Sequence, residues 1–81
     1  MTMMIHIKMI GNYRDHLPPA SKNGMIEIEV PDGTTVHDAI SRFGIPLDDS
    51  SVIVLNGLTV DMNTPLQEGD VVTAFSAIAG G

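Results

Sequence analysis

Residues 30–44 read VPDGTTVHDAISRFG, and this stretch decides the fold because it contains a strand end, a turn and a complete helix signal. Pro31-Asp32-Gly33 predicts the turn, since proline presets φ and glycine tolerates positive φ. Thr35 is the expected N-cap, with Asp38 three residues later as an acidic variant of the capping box. Apolar residues then recur with helical spacing and predict one buried stripe: Val36, Ala39, Ile40 and Phe43.

Two strands are predicted before this helix. Met3–Ile10 alternates, with Ile5, Ile7 and Met9 on one face, and residues 26–30 alternate apolar side chains with glutamates. The segment Gly11–Gly24 breaks the periodicity with proline, serine and asparagine, which predicts a long loop. We therefore expect the first two strands to form a hairpin across that loop.

The second half of the chain predicts three more strands, at residues 51–55, 58–60 and 71–75. Asn56-Gly57 is a preferred two-residue hairpin turn between the first two of them. The order β-β-α-β-β-β provides one helix for a whole sheet, so the fold class is α+β with two layers. A closing strand beside the first strand gives a mixed sheet around one main helix, the β-grasp arrangement. Residues 1–75 would form this domain, and residues 76–81 a flexible tail.

Composition excludes several classes of function. The chain has 81 residues, no cysteine and a formal net charge of −6, so thiolate catalysis, disulfides and zinc–thiolate sites are excluded. Its four basic residues are scattered along the sequence, which argues against a nucleic acid partner: Lys8, Arg14, Lys22 and Arg42. No apolar run is long enough to span a bilayer and no signal peptide is evident, so we expect no membrane partner and a cytoplasmic protein.

The sequence ends Ala79-Gly80-Gly81. Two glycines give a thin, extensible segment without Cβ atoms, suited to threading a terminal carboxylate into a narrow active site of another protein. This predicts a carrier whose own carboxylate reacts. A flexible end or a cloning remnant would leave the same residues.

Several motifs, in order, resemble those of the ubiquitin-like sulfur carriers, and most closely the small subunits of molybdopterin synthase. The similar segments span nearly the whole chain: Val30–Val36, Val54–Gly57, Thr64–Val71, Phe75 and Gly80-Gly81. Ser76 and Ala77 stand where those subunits usually have two prolines. The thiamine-pathway carriers are also similar, but they are typically shorter and lack a loop as long as Gly11–Gly24.

The resemblance implies a chemistry at Gly81 that partner enzymes perform. An E1-like activating enzyme would use ATP to adenylate the Gly81 carboxylate, and a sulfur donor would then displace AMP to leave a thiocarboxylate. The large subunit of molybdopterin synthase, or another sulfur acceptor, would receive that sulfur. The chain itself would be no enzyme and would bind no cofactor tightly, and Gly80 would be the steric partner of Gly81.

Phe75 is the second candidate site residue. Strand alternation over residues 71–75 can place Val72 and Ala74 inward, which leaves Phe75 on the open face as an interface anchor, with Ile78 and Ala79 binding the partner alongside it. The competing interpretation is a core phenylalanine.

Other hypotheses stay open. His6, His16 and His37 fall on different predicted elements, without the close spacing of metal ligands, so no metal site is expected. The function alternatives are a thiamine-type or other biosynthetic sulfur donor, a ubiquitin-like protein modifier conjugated to lysines, and a β-grasp interaction module with an incidental tail.

Overall fold

A five-stranded mixed sheet forms the framework, with strand order β2-β1-β5-β3-β4. The computed structural model describes residues 1–19, 21–44 and 51–76. β1 is antiparallel to β2 and parallel to β5, so the closing strand lies beside the first as predicted. The elements are β1 (Thr2–Met9), a 3-10 helix (Gly11–His16), β2 (Met25–Pro31), α1 (Val36–Ser41), β3 (Ser51–Leu55), β4 (Leu58–Thr59) and β5 (Val71–Ser76). This is the β-grasp fold.

The core lies between one face of the sheet and α1. Alternation along β1 buries Ile5, Ile7 and Met9, and β5 contributes the fully buried Val72 and Ala74 from the centre of the sheet. The helix covers these residues with its predicted stripe, of which Val36, Ala39 and Ile40 are fully buried. Removal of this apolar surface from water is the main stabilising contribution, at about 25 cal/mol per Å².

The start of α1 confirms the predicted capping box. Thr35 Oγ1 accepts the backbone N–H of Asp38 at 3.2 Å, and Asp38 Oδ2 accepts the backbone N–H of Thr35 at 3.4 Å. The helix is shorter than the apolar stripe, because it ends at Ser41 and the half-buried Phe43 lies in the turn that follows. Gly44 has a φ of +66° at the position predicted for helix termination.

The segment predicted as a loop contains an ordered element, the 3-10 helix Gly11–His16. Tyr13 anchors it: the ring is buried, and the hydroxyl lies 2.6 Å from Ser51 Oγ at the start of β3. The prediction of a long loop therefore missed a short helix over these residues. A single 3-10 helix that buries one aromatic side chain has no periodicity for a sequence pattern to detect.

Two of the motif residues hold the start of β5 in place. The Asn56 side-chain amide donates to Asp70 Oδ1 at 3.0 Å, and Asn56 Oδ1 accepts the Val71 backbone N–H at 2.9 Å. Asp70 Oδ2 also accepts the Gln67 backbone N–H at 2.8 Å. The asparagine of the hairpin turn and the aspartate before β5 thus act structurally, by fixing where the central strand begins.

Candidate functional site

The end of β5 is the candidate site, because this strand leads to the glycine-rich terminus. β5 lies in the interior of the sheet between β1 and β3, and its last residue, Ser76, pairs with Ser51. The Ile10 N–H donates to the Ala74 carbonyl at 3.1 Å, which joins the end of β1 to this strand. The strand extends one residue beyond the predicted boundary at residue 75. Four predicted site residues lie outside the described residues: Ile78, Ala79, Gly80 and Gly81.

Phe75 lies on the sheet face opposite the helix. Its neighbour Ala74 is fully buried on the core face, and β-strand alternation directs the next side chain to the other face. Phe75 pairs in register with Val52 of β3 and is half-buried. The core interpretation is therefore incorrect, since Phe75 is not part of the buried cluster. Whether a partner binds there stays a prediction.

An apolar patch surrounds Phe75 on this open face. We define the open-face patch as Val52, Val54, Val71 and Phe75, which lie on the same face of β3 and β5 and are all half-buried, with the half-buried Thr73 between Val71 and Phe75. Ile10, the next outward-facing position beyond β1, is 45% exposed at the margin of the patch. A cluster of partly exposed apolar side chains on one sheet face is typical of a protein interaction site.

Polar groups border the patch on the side of β1 and β2. His6 pairs in register with Val71 and has its Nε2 atom 3.6 Å from Glu27 Oε2. Within residues 1–19, 21–44 and 51–76, no group of three or more His, Cys, Asp or Glu side chains could hold a metal ion. His6 and Glu27 therefore form a surface pair on the open face.

The buried side chains of the described residues are almost entirely apolar. Apart from the hydroxyl of Tyr13, which lies 2.6 Å from Ser51 Oγ, the buried side chains carry no polar or charged group. None of the helices in the described part of the chain has the length and apolar character needed to span a bilayer.

Comparison with protein families identifies one family model, described as Mut7-C ubiquitin, which matches residues 2–79. No curated protein sequence matches the chain significantly. Solved structures share the fold across nearly its full length. The small archaeal modifier protein 1 of Haloferax volcanii is 14% identical with a TM-score of 0.75, covering 94% of this chain and 99% of its own.

Two further solved structures come from molybdopterin converting factors. The putative subunit 1 from Pyrococcus furiosus is 24% identical with a TM-score of 0.73, covering 94% of this chain and 99% of its own. A protein–protein complex of subunits 1 and 2 from Helicobacter pylori gives 22% identity and a TM-score of 0.62, covering 98% of this chain and 100% of the matched chain. At these identities the likeness establishes the fold.

Proposed function

The chain belongs to the Mut7-C ubiquitin family, and from this premise we propose that it is a sulfur carrier that reacts through Gly81. In this proposal an E1-like enzyme adenylates the Gly81 carboxylate with ATP, and sulfur transfer converts it to a thiocarboxylate. The acceptor we favour is the large subunit of molybdopterin synthase, in molybdenum cofactor biosynthesis in the cytoplasm. The chain acts as a co-substrate, and the catalytic residues belong to its partners.

One observation carries the proposal: the strand that leads to Gly80-Gly81 is an interior strand with an apolar patch on its open face. β5 is hydrogen-bonded on both sides, so residues up to Ser76 are held by the sheet. Five residues lead from Ser76 to Gly81. A segment of that length spans at most about 17 Å, so a partner that holds the open-face patch also confines where Gly81 can reach.

The chemistry at Gly81 consists of two nucleophilic substitution reactions, and neither requires a side chain of this protein. A carboxylate oxygen of Gly81 attacks the α-phosphorus of ATP and pyrophosphate leaves. A sulfide-level sulfur nucleophile then attacks the carbonyl carbon, the bond from that carbon to the AMP oxygen breaks so that AMP leaves, and loss of the proton from sulfur gives the thiocarboxylate. The carrier's contribution is to position the reacting end, which makes each step effectively intramolecular within the complex.

The partner contacts follow from the same geometry. Phe75 lies at the tail-proximal end of the open-face patch, and large aromatic side chains are common binding anchors. Ile78 and Ala79 would enter the partner's channel ahead of the glycines. The solved complex of subunits 1 and 2 of a molybdopterin converting factor supports a two-subunit arrangement of this kind.

A second candidate is a ubiquitin-like modifier that is joined to lysines of other proteins. The fold shared with the small archaeal modifier protein 1 favours it, and the same activated Gly81 would serve both functions. A ladder of isopeptide-linked products in cell lysate would identify the modifier. A thiamine-type acceptor would keep the carrier chemistry and change only the pathway.

The test is co-expression of the 81-residue chain with an E1-like activating enzyme and a sulfur source, followed by intact-mass measurement. The expected result is replacement of one oxygen by sulfur. A matched chain that lacks Gly80 and Gly81 should remain unmodified. If the full chain stays unmodified although the same enzyme preparation activates another carrier, the proposal is contradicted.

A further inference from the structure

The basic residues are scattered in the sequence, but the fold brings three of them to one end of the sheet. Lys8 is the second-last residue of β1 and is in register with Met25 and Thr73. Lys22 forms a bridge to Met25 through two backbone hydrogen bonds of 2.8 and 2.9 Å. Arg14 projects from the 3-10 helix beside Gly24. We define Lys8, Arg14 and Lys22 as the basic rim.

The basic rim borders the place where β5 ends. Because β1 and β5 are parallel, the residues that follow Lys8 lie at the same end of the sheet as Phe75 and Ser76. The acidic residues of the described part are concentrated elsewhere, with only Asp15 and Glu27 near this end. The others lie toward the opposite end or around the start of α1: Glu29, Asp32, Asp38, Asp61, Glu68 and Asp70.

The ion pairs of the described residues do not involve the basic rim. In residues 1–19, 21–44 and 51–76, the two ion pairs are His6–Glu27 and His37–Asp38, so neither involves a lysine or an arginine. Lys8, Arg14 and Lys22 are all exposed. Asp48 and Asp49 lie outside the described residues. Within the described residues, three cations without an ion-pair partner thus lie at the end of the sheet where β5 ends, in a chain of net charge −6.

We propose that the basic rim docks against an acidic surface around the channel that receives Gly80-Gly81 on the E1-like activating enzyme. This inference rests on the proposed function. Charge complementarity beside the tail orients the encounter so that the terminus arrives first, whereas the acidic opposite end is repelled from the same surface. Orientation of this kind acts mainly on the association rate and is weakened by salt, since the Debye length is only about 8 Å at physiological ionic strength.

The experiment measures the KM for the carrier in ATP–pyrophosphate exchange with the E1-like enzyme, at low and at high salt. Lys8→Gln/Lys22→Gln should raise the KM about tenfold at low salt, and high salt should remove the difference from wild type. Lys8→Arg/Lys22→Arg keeps the charge and should retain the wild-type KM. Arg42→Gln removes the cation outside the rim, whose guanidinium donates to the Glu29 carbonyl at 3.3 Å, and should change the KM little.

The other possible results of this experiment would overturn the docking inference. If wild type supports exchange and the lysine variants behave like Arg42→Gln, the docking inference is overturned while the proposed function stands. If wild type supports no exchange with a competent enzyme, both fail. If the glutamine variant loses binding to single-stranded RNA and keeps its KM, the rim belongs to a nucleic acid partner and the inference is overturned. Circular dichroism of each variant confirms that it is folded.

Discussion

The hydroxyl oxygen of Tyr13 lies 2.6 Å from Oγ of Ser51, across 38 positions of sequence. This hydrogen bond joins the 3-10 helix to the first residue of β3, which itself pairs with Ser76 at the end of β5. The contact therefore holds the segment that carries Arg14 against the strand pair from which the tail leaves. The stability of this end of the sheet depends on one aromatic residue in an otherwise polar segment.

Tyr13→Phe keeps the buried ring and removes the hydroxyl. We expect the free energy of unfolding to fall by about 1 kcal/mol, the usual net value of such a hydrogen bond. Urea denaturation measures it, and a double-mutant cycle with Ser51→Ala isolates the pair. Additive losses would show that the two hydroxyls do not interact.

Among the glycines within residues 1–19, 21–44 and 51–76, Gly24 has the least space for a side chain. It has a φ of +76°, and a Cβ there would lie 2.8 Å from the Met9 carbonyl oxygen and 3.1 Å from Arg14 Nε. Gly69→Ala is the matched control, because Gly69 has a φ of +84° with no atom within 4 Å of the added carbon.

We expect Gly69→Ala to lower the free energy of unfolding by about 1–2 kcal/mol, from backbone strain alone. Gly24→Ala should lower it clearly more, because the clash with backbone adds to the same strain, and thermal denaturation compares the two. Equal losses would show that the approach of Gly24 to β1 relaxes without cost.

Phe75→Ala tests the open-face patch. Truncation of a binding anchor costs more than 1 kcal/mol of binding free energy, so we expect the Kd for the activating enzyme or the acceptor subunit to rise about tenfold. Leu58→Ala is the control, since Leu58 is 70% exposed on β4 and lies outside the patch. Calorimetric titration that gives the same Kd for both variants would remove Phe75 from the interface.

Gly81→Ala tests the steric requirement at the reacting residue. A new methyl group must enter a channel shaped for glycine, so we expect the adenylation rate to fall at least about tenfold while the fold is retained. Thr59→Ala, on the distant strand β4, should react at the wild-type rate. Full-rate adenylation of the Gly81 variant would contradict the steric argument.

Local sequence patterns predicted most of the fold because each depends on neighbouring residues. Alternation located β1, β2 and β5, and Thr35 with Asp38 located the helix start. The 3-10 helix was missed, because the burial of Tyr13 depends on Ser51 in a distant strand. The strand alternation of residues 71–75 left Phe75 either on the open face or in the core, and the structure places it on the open face.

The basic rim could not be predicted for a related reason. Lys8, Arg14 and Lys22 have no regular spacing, and only the antiparallel pairing of β1 with β2 and the 3-10 helix bring them together. The signal that could have found them is the predicted hairpin itself, which places the end of β1 beside the start of β2. The glycine-rich terminus was identified from composition and resemblance alone.

The most direct test of the central claim uses the absence of cysteine from the chain. After reaction with the E1-like enzyme, ATP and a sulfur donor, iodoacetamide should alkylate a single site, and fragmentation should localise it to Gly81. Oxidation of any of the six methionines adds nearly the same mass as exchange of oxygen for sulfur. Alkylation distinguishes the two products, because it requires the new sulfur nucleophile. A chain that stays unalkylated, while the same enzyme loads its known carrier, would contradict the account.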